Sequence, residues 1–446
     1  MADGFVERMT LSRDRLAAGL RWSVASKIIQ VALNYGGGLA VGRMLGPSAL
    51  GGAHAFFTVL GVLRALHLPG AGRAATYVAA GGGDAAAVRR SAMPLQAGLA
   101  LASGATLAVL AAPMAAALHD PDLKRCLYLA VPLPLILGLV PLYLQPLAGF
   151  QQFKDHAHAG LAGAVAAFVA LLAALAAGLG LAAVPLSLLA GAAAGIALAA
   201  ARLPAPAPAA PSPAGTDFAR FALWATVLEL GLVALNRSGV LWTKRLIADP
   251  AHAGLWVSAL GALKLLHLPW LALTVAMFPR LAAAARTKDV ALLRELLHGL
   301  GQGLCVVMAP AALLTALLAP SVVGLLWGGS FAAAAPALAV AAPGFVFSCA
   351  FQVLAAAWNA SGRPEKPARL AVLLVLANAV LHAWAVPRWG VMAAAWIYTW
   401  TWLAGGLLAA RGCATALGLE RRTLLGEFWT RRADPRPLLG LFGVNG

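Results

Sequence analysis

Four basic residues lie inside stretches otherwise too apolar to need them: Lys27, Arg64, Arg237 and Lys264. A charge at the centre of a membrane helix costs roughly 2.5–3.5 kcal/mol on insertion scales, so it faces a bundle interior or a wetted surface rather than lipid. Cations placed there create a field suited to an anionic group, and an arginine grips a phosphate through two parallel hydrogen bonds. Two of the four stand in register with each other. Leu60 to Pro69 reads LGVLRALHLP and Leu260 to Pro269 reads LGALKLLHLP, identical at seven of ten positions, with Arg64 answered by Lys264. Upstream, Ala32-Leu33-Asn34 matches Ala234-Leu235-Asn236, Arg43 matches Arg245, and Pro47 matches Pro250.

The repeat makes Arg64 and Lys264 an expected pair on opposite walls of one cavity, holding phosphate, with Lys27 and Arg237 adding to the field. A second reading of Arg64 stays open. It lies nine residues before Arg73, about 13 Å along a helix, and its long side chain can instead reach the membrane interface. Glu229 aligns with Lys27 and Tyr35 with Arg237. Glu229 either pairs with Lys27 across the two copies or serves in ion coupling, carrying a proton or helping to bind Na⁺. His67 and His267 each stand two residues before a proline and read equally as packed side chains or ligands.

These residues need helices that cross a bilayer. Of 446 residues, 61% are hydrophobic and 11% charged, against about 25% charged in a soluble domain. Apolar runs of 18 or more residues recur along the chain, and a bilayer core about 30 Å thick takes roughly 20 helical residues to cross. The runs are continuous rather than alternating, which favours helices over a β-barrel. The spacing predicts spans near 22–45, 50–72, 93–118, 126–148, 158–180 and 182–201, then 221–245, 252–278, 297–319, 334–358, 368–386 and 390–410. Between the two sets runs RLPAPAPAAPSPAGTD, whose prolines favour an extended linker. The expected layout is therefore a surface-lying segment at 1–21, a six-helix lobe at 22–201, a linker at 202–217, a second six-helix lobe at 218–411 and a basic tail at 412–446.

Lys and Arg fix the expected orientation. Of 33, all but ten gather on the side that receives both termini, six lie on the other side, and the remaining four are those inside the spans. Both termini are thus expected in the cytoplasm. The formal charge of +17 would suit nucleic acid, but the cations are spread between spans rather than gathered on one face, so no nucleic-acid partner is expected. Four isolated cysteines form no metal or disulfide spacing, and no cofactor or metal is expected beyond a coupling H⁺ or Na⁺. There is no Walker A loop, no G-x-S-x-G elbow and no pair of loop carboxylates, which argues against an enzyme. Two even-numbered copies keep the same membrane orientation, an arrangement found in transporters with the substrate site near mid-membrane.

Two stretches resemble a known family. The first is Arg43-Met44-Leu45-Gly46-Pro47-Ser48-Ala49-Leu50-Gly51. The second is residues 354–396, LAAAWNASGRPEKPARLAVLLVLANAVLHAWAVPRWGVMAAAW, with Gly362-Arg363, Asn378, and Pro387 to Gly390 ahead of Ala393-Ala394-Ala395. Both are similar to polysaccharide transporters of the superfamily that also holds O-antigen flippases, the peptidoglycan-precursor flippase and multidrug exporters. The resemblance implies an all-α integral membrane protein of about twelve helices, in two pseudo-twofold-related six-helix bundles around a central cavity. It implies a multi-pass protein of the bacterial inner membrane that flips an undecaprenyl-diphosphate-linked oligosaccharide by alternating access. Arg64, Lys264, Arg237 and Lys27 are then the expected pyrophosphate-binding residues, and Glu229 and Asn378 the candidates for ion coupling. Expected partners are the lipid-linked oligosaccharide, membrane lipids, and polymerases or glycosyltransferases of the envelope pathway. A cation-coupled multidrug exporter of the same fold and a non-transporting scaffold in envelope assembly are the alternatives.

Overall fold

A computed structural model describes residues 13–66, 85–150, 152–203, 216–266, 270, 290–360 and 363–416, and nearly all of them are helical. The chain divides into two compact units, Met1–Ala222 and Leu223–Gly446.

The first unit begins with α1, Arg13–Leu66, a helix of 54 residues. Straight, it would measure about 80 Å, far more than a hydrocarbon core about 30 Å thick. Gly46 breaks it with φ 83° and ψ −177°, a conformation essentially confined to glycine, and Pro47 follows without an amide to donate. The expected first and second spans are thus the two arms of one corner, with residues 67–72 outside the described residues. Next come α2 (Ala85–Ala117), α3 (Pro121–Leu129) and α4 (Leu133–Gly149). A single span was expected at 126–148, but α3 and α4 meet at 49°. The cause lies in the sequence. Pro132 and Pro134 interrupt the hydrogen-bond ladder, and Asp120 gives α3 its own start by accepting from the Leu123 amide at 3.1 Å.

The pair α5 (Phe153–Ala176) and α6 (Ala183–Arg202) closes the unit. A Cβ on Gly163 would stand 2.9 Å from the Gly191 carbonyl oxygen, and one on Gly191 would stand 2.7 Å from that of Gly163. The backbones meet directly, which is how helices associate where water supplies no driving force. Phe56, Leu123, Leu127, Leu133 and Leu142 fill the core of this unit.

The second unit opens within α7 (Thr216–Leu246) and continues into α8 (Ala251–Leu266). The ninth span is α9 (Val290–Gly303), a π turn at Leu304–Met308, and α10 (Ala309–Leu317). Neither the π turn nor the short α11 (Ala319–Trp327) that follows was expected from hydropathy. α12 spans Ala335–Ala360, and α13, Glu365–Ala416, joins the eleventh and twelfth spans through a corner at Gly390 (φ 59°, ψ −140°). Thr399 on the second arm of α13 donates to the Val340 carbonyl of α12 at 2.7 Å, and Gly344 lets that crossing close. On the first arm, Ala368 and Ala371 pack with Leu228 of α7.

Seven segments among the described residues are long and apolar enough to cross a membrane, and the bent α3–α4 pair makes eight. The segments in α1 and α13 each hold two crossings, and with α7 and the shorter α8 they complete the expected twelve.

Candidate functional site

Lys27, Arg64, Glu229 and Lys264 are exposed from the protein, and Arg237 is half-buried. On helices of this length, such charges mark surfaces that water reaches rather than surfaces in lipid. Lys27 and Asn34 are exposed seven residues apart on the first arm of α1, and Glu229 and Asn236 repeat that spacing on α7. Seven residues is nearly two turns, so each unit carries a polar stripe on one helix face. The stripes fall at equivalent places in the repeat.

Within the second unit, the guanidinium of Arg237 on α7 lies close enough for its charge to act on the Lys264 ammonium of α8. Two like charges that near each other repel, and an anion between or beside them relieves the repulsion. The sequence singled out both residues; Arg237 shares a unit with Lys264, whereas the expected partner Arg64 belongs to the other unit. In the first unit, Lys27 acts on His156 in the first turn of α5. Arg64 occupies the last turn of α1, on the other arm from Lys27. His67, Arg73, His267, Pro269 and Gly362 lie outside the described residues.

Asn378 differs from the other five candidates in being buried, at 3% exposure. Its side chain is engaged at both ends: Ser238 of α7 donates to its Oδ1 at 3.2 Å, and its Nδ2 donates to Thr401 Oγ1 at 3.1 Å. One turn further along α13, His382 donates from Nδ1 to the Asn378 carbonyl at 2.8 Å. The ring of His382 lies nearly parallel to that of Trp242, 6.5 Å between centroids. This network ties α7 to both arms of α13. Sequence reading found Asn378 but missed Ser238, Thr401 and His382, which are neutral and so invisible to a search for intramembrane charge. The available signal was the four-residue spacing of Asn378 and His382 in an apolar run.

The sequence model of the family described as polysaccharide biosynthesis protein matches residues 40–336. No curated protein matches the chain. Among solved structures, the fold is similar to an inward-facing multidrug resistance MATE family transporter of the MOP superfamily. That likeness has TM-score 0.65 at 15% identity and covers 87% of this chain and 95% of the other. It is also similar to a MOP superfamily transporter from Pyrococcus furiosus, described as having a binding pocket of reverse polarity that suggests a different function. There the TM-score is 0.61 at 14% identity, covering 91% and 96%. A third is a point mutant of a MATE transporter from Vibrio cholerae, with TM-score 0.58 at 13% identity over 90% and 95%.

Proposed function

The chain belongs to the polysaccharide biosynthesis protein family and has the fold of MOP superfamily transporters, and from this we propose that it flips a polyprenyl-diphosphate-linked oligosaccharide across the bacterial inner membrane. The observation that carries the reading is the closeness of Arg237 and Lys264 on two adjoining membrane helices. A pyrophosphate brings oxygens for both cations, and the glycan of such a lipid must cross where water already reaches. Arg64 and Lys27 supply the matching cations of the other lobe, and the lobes alternate in opening to the two leaflets while the polyprenyl tail stays in lipid. Coupling to H⁺ or Na⁺ and hand-over to a glycosyltransferase or polymerase belong to the same proposal.

The test is glycan export in cells that carry Arg237→Ala with Lys264→Ala at unchanged protein level. A hydrogen bond to a charged group is worth about 1.5–3 kcal/mol, so losing both should lower export at least roughly tenfold. Lys264→Arg should retain most of it, because a cation able to grip phosphate remains. Unimpaired export by the double variant overturns the phosphate role. The multidrug alternative rests on Glu229, exposed on α7. It requires Glu229→Gln to abolish cation-driven drug efflux while the cation pair is dispensable.

A further inference from the structure

Each unit holds a tryptophan with a cation over its face, at equivalent places in the repeat. Trp22 and Trp224 stand 202 residues apart, the offset that also relates Lys27 to Glu229 and Asn34 to Asn236. In the first unit the Lys154 ammonium of α5 lies 5.7 Å from the centre of the Trp22 ring of α1. In the second, the Arg369 guanidinium of α13 lies 5.4 Å from the centre of the Trp224 ring of α7. The surroundings then diverge. Two and four residues beyond the cation stand His156 and His158 in α5, but Ala371 and Leu373 in α13. The place of Lys27 is taken by the acid Glu229. The first unit thus carries a cationic, hydrogen-bonding version of the arrangement, and the second an apolar one with a carboxylate.

The cluster in the first unit faces outward. Trp22, Lys27 and Lys154 are exposed, and His158 is half-buried with its ring 5.3 Å from that of Trp22, nearly perpendicular to it. Lys27 is close enough for its charge to act on His156. Among the described side chains of this unit, no acid neutralises the cluster. Asp155 pairs with Arg202 at 3.1 Å, and Asp120 and Asp122 lie at the start of α3, where Asp120 approaches Gly52 beyond the Gly46 corner. The apolar segments that can cross a membrane begin at Ala25 and Phe153, so Lys27 and Lys154 sit in their first turns, at headgroup level. Deeper in, the seam between α1 and α5 is shut. A Cβ on Gly160 would meet Gln30 Nε2 at 2.7 Å, and one on Gly37 would meet Leu171 at 3.0 Å. Ile28 and Ile29 on α1 and Val165 and Val169 on α5 are exposed below the cations.

We propose that this end of the α1–α5 seam binds the phosphate headgroup of one anionic membrane phospholipid. The Trp22 face holds the Lys154 ammonium in place while leaving N–H donors for phosphate oxygens, and the His158 imidazole adds another donor. Lys27 adds charge at the edge of the site. Basic pockets between membrane helices on the cytoplasmic side suit such headgroups, and the Lys/Arg bias assigns this end to that side. The exposed apolar faces below the cations are what a lipid's acyl chains cover, whereas a soluble anion has no use for them. Because the seam is shut deeper in, the headgroup stays at the surface, as a resident lipid does and a transported cargo does not. The second unit, with Glu229, Ala371 and Leu373 at the corresponding places, lacks the site. The proposal does not rest on the flippase reading: Trp22, Lys154 and His158 take no part in that reading, and only Lys27 is common to both.

The experiment is native mass spectrometry of the full-length protein in detergent, titrated with phosphatidylglycerol and, separately, with phosphatidylcholine of the same acyl chains. One phosphatidylglycerol should be retained at concentrations where phosphatidylcholine is not. Each cation near a headgroup is worth about a fivefold change in affinity, so Lys154→Gln with His158→Leu should weaken retention about fivefold or more. Lys154→Arg should keep it, because the replacement still lies over the ring and still donates. The control is Lys366→Gln with Arg369→Gln, which removes two cations from the second unit and should leave retention unchanged. Equal weakening by the two double variants overturns the proposal, since the lipid would then be responding to net charge alone. Equal retention of the two lipids overturns it as well, because apolar contact would suffice. So does displacement of the lipid by an equal concentration of glycerol phosphate, which would make this a site for soluble anions. A thermal melt of each variant separates loss of the site from loss of the fold; if Lys154→Gln with His158→Leu unfolds, Lys154→Gln alone carries the same test.

Discussion

At the scale of single residues, the second unit holds two kinds of polar side chain whose removal should read differently. Lys264 is exposed and Arg237 half-buried, so truncating them should cost less than truncating an enclosed polar side chain, within about 1 kcal/mol of wild type, while impairing function. Asn378 is enclosed and engaged on both ends of its amide. Hydrogen bonds between membrane helices average about 0.6 kcal/mol and reach about 1.7, so Asn378→Ala, which loses two and opens a cavity, should cost about 1–3 kcal/mol. Thr401→Val removes one bond, keeps the volume, and should cost about 0.5–1 kcal/mol. Unfolding of the purified variants in detergent, followed by circular dichroism, ranks the four. If Asn378→Ala melts with wild type, the network is not what joins α7 to α13.

At the scale of elements, the two corners explain what the sequence revealed and what it withheld. Gly46-Pro47 and Pro387 to Gly390 were visible as motifs. Their helical arms were legible from hydropathy, because a long apolar run followed by glycine and proline has few alternatives in a bilayer. Hydropathy reports depth rather than facing, however. In a chain so rich in Ala and Leu it could not place the break at Pro132, the π turn at Leu304–Met308, or the proximity of Arg237 to Lys264. The repeat relates Arg64 to Lys264 as equivalent positions of two lobes; proximity within one lobe follows helix rotation, which no repeat encodes. The corners themselves make a sharp prediction. Nothing lies within 4 Å of a Cβ on Gly46, and only Ile247 approaches one on Gly390, at 3.9 Å, so space is not what demands glycine. The backbone conformation does, and an alanine there should cost about 1–3 kcal/mol. Gly38, on the helical part of α1, also has nothing within 4 Å. Gly38→Ala should instead be neutral or stabilising by about 0.5–1 kcal/mol. Thermal melts of Gly46→Ala, Gly390→Ala and Gly38→Ala should therefore split two against one; a uniform response would mean that the corners are not set by backbone conformation.

At the scale of the whole molecule, several of the cations behind the expected orientation lie over aromatic rings. Lys154 lies over Trp22, Arg89 over Tyr143 and Arg369 over Trp224, while Arg202 pairs with Asp155 at 3.1 Å. Such basic and aromatic pairs are what anchor helix ends in the headgroup region. Every one of these cations is on the side assigned to the cytoplasm by the Lys/Arg bias. Lys124, Arg125 and Arg388, the last also over a ring, that of Trp384, belong to the other. Topology can therefore be tested at three exposed positions: Asp122 at the start of α3, Lys366 at the start of α13 and Arg388 beside its corner. Cys126, Cys349 and Cys413 are buried and Cys305 half-buried, so Cys305→Ser gives a quiet background. In that background Asp122→Cys and Arg388→Cys should react with a membrane-impermeant maleimide in intact spheroplasts. Lys366→Cys should react only after the membrane is opened. The even span count makes the outcome strict, because one missing or extra crossing between residues 122 and 366 would put those two positions on the same side. Labelling of Asp122→Cys and Lys366→Cys together in intact spheroplasts would thus refute both the twelve-span count and the cytoplasmic placement of the basic helix ends.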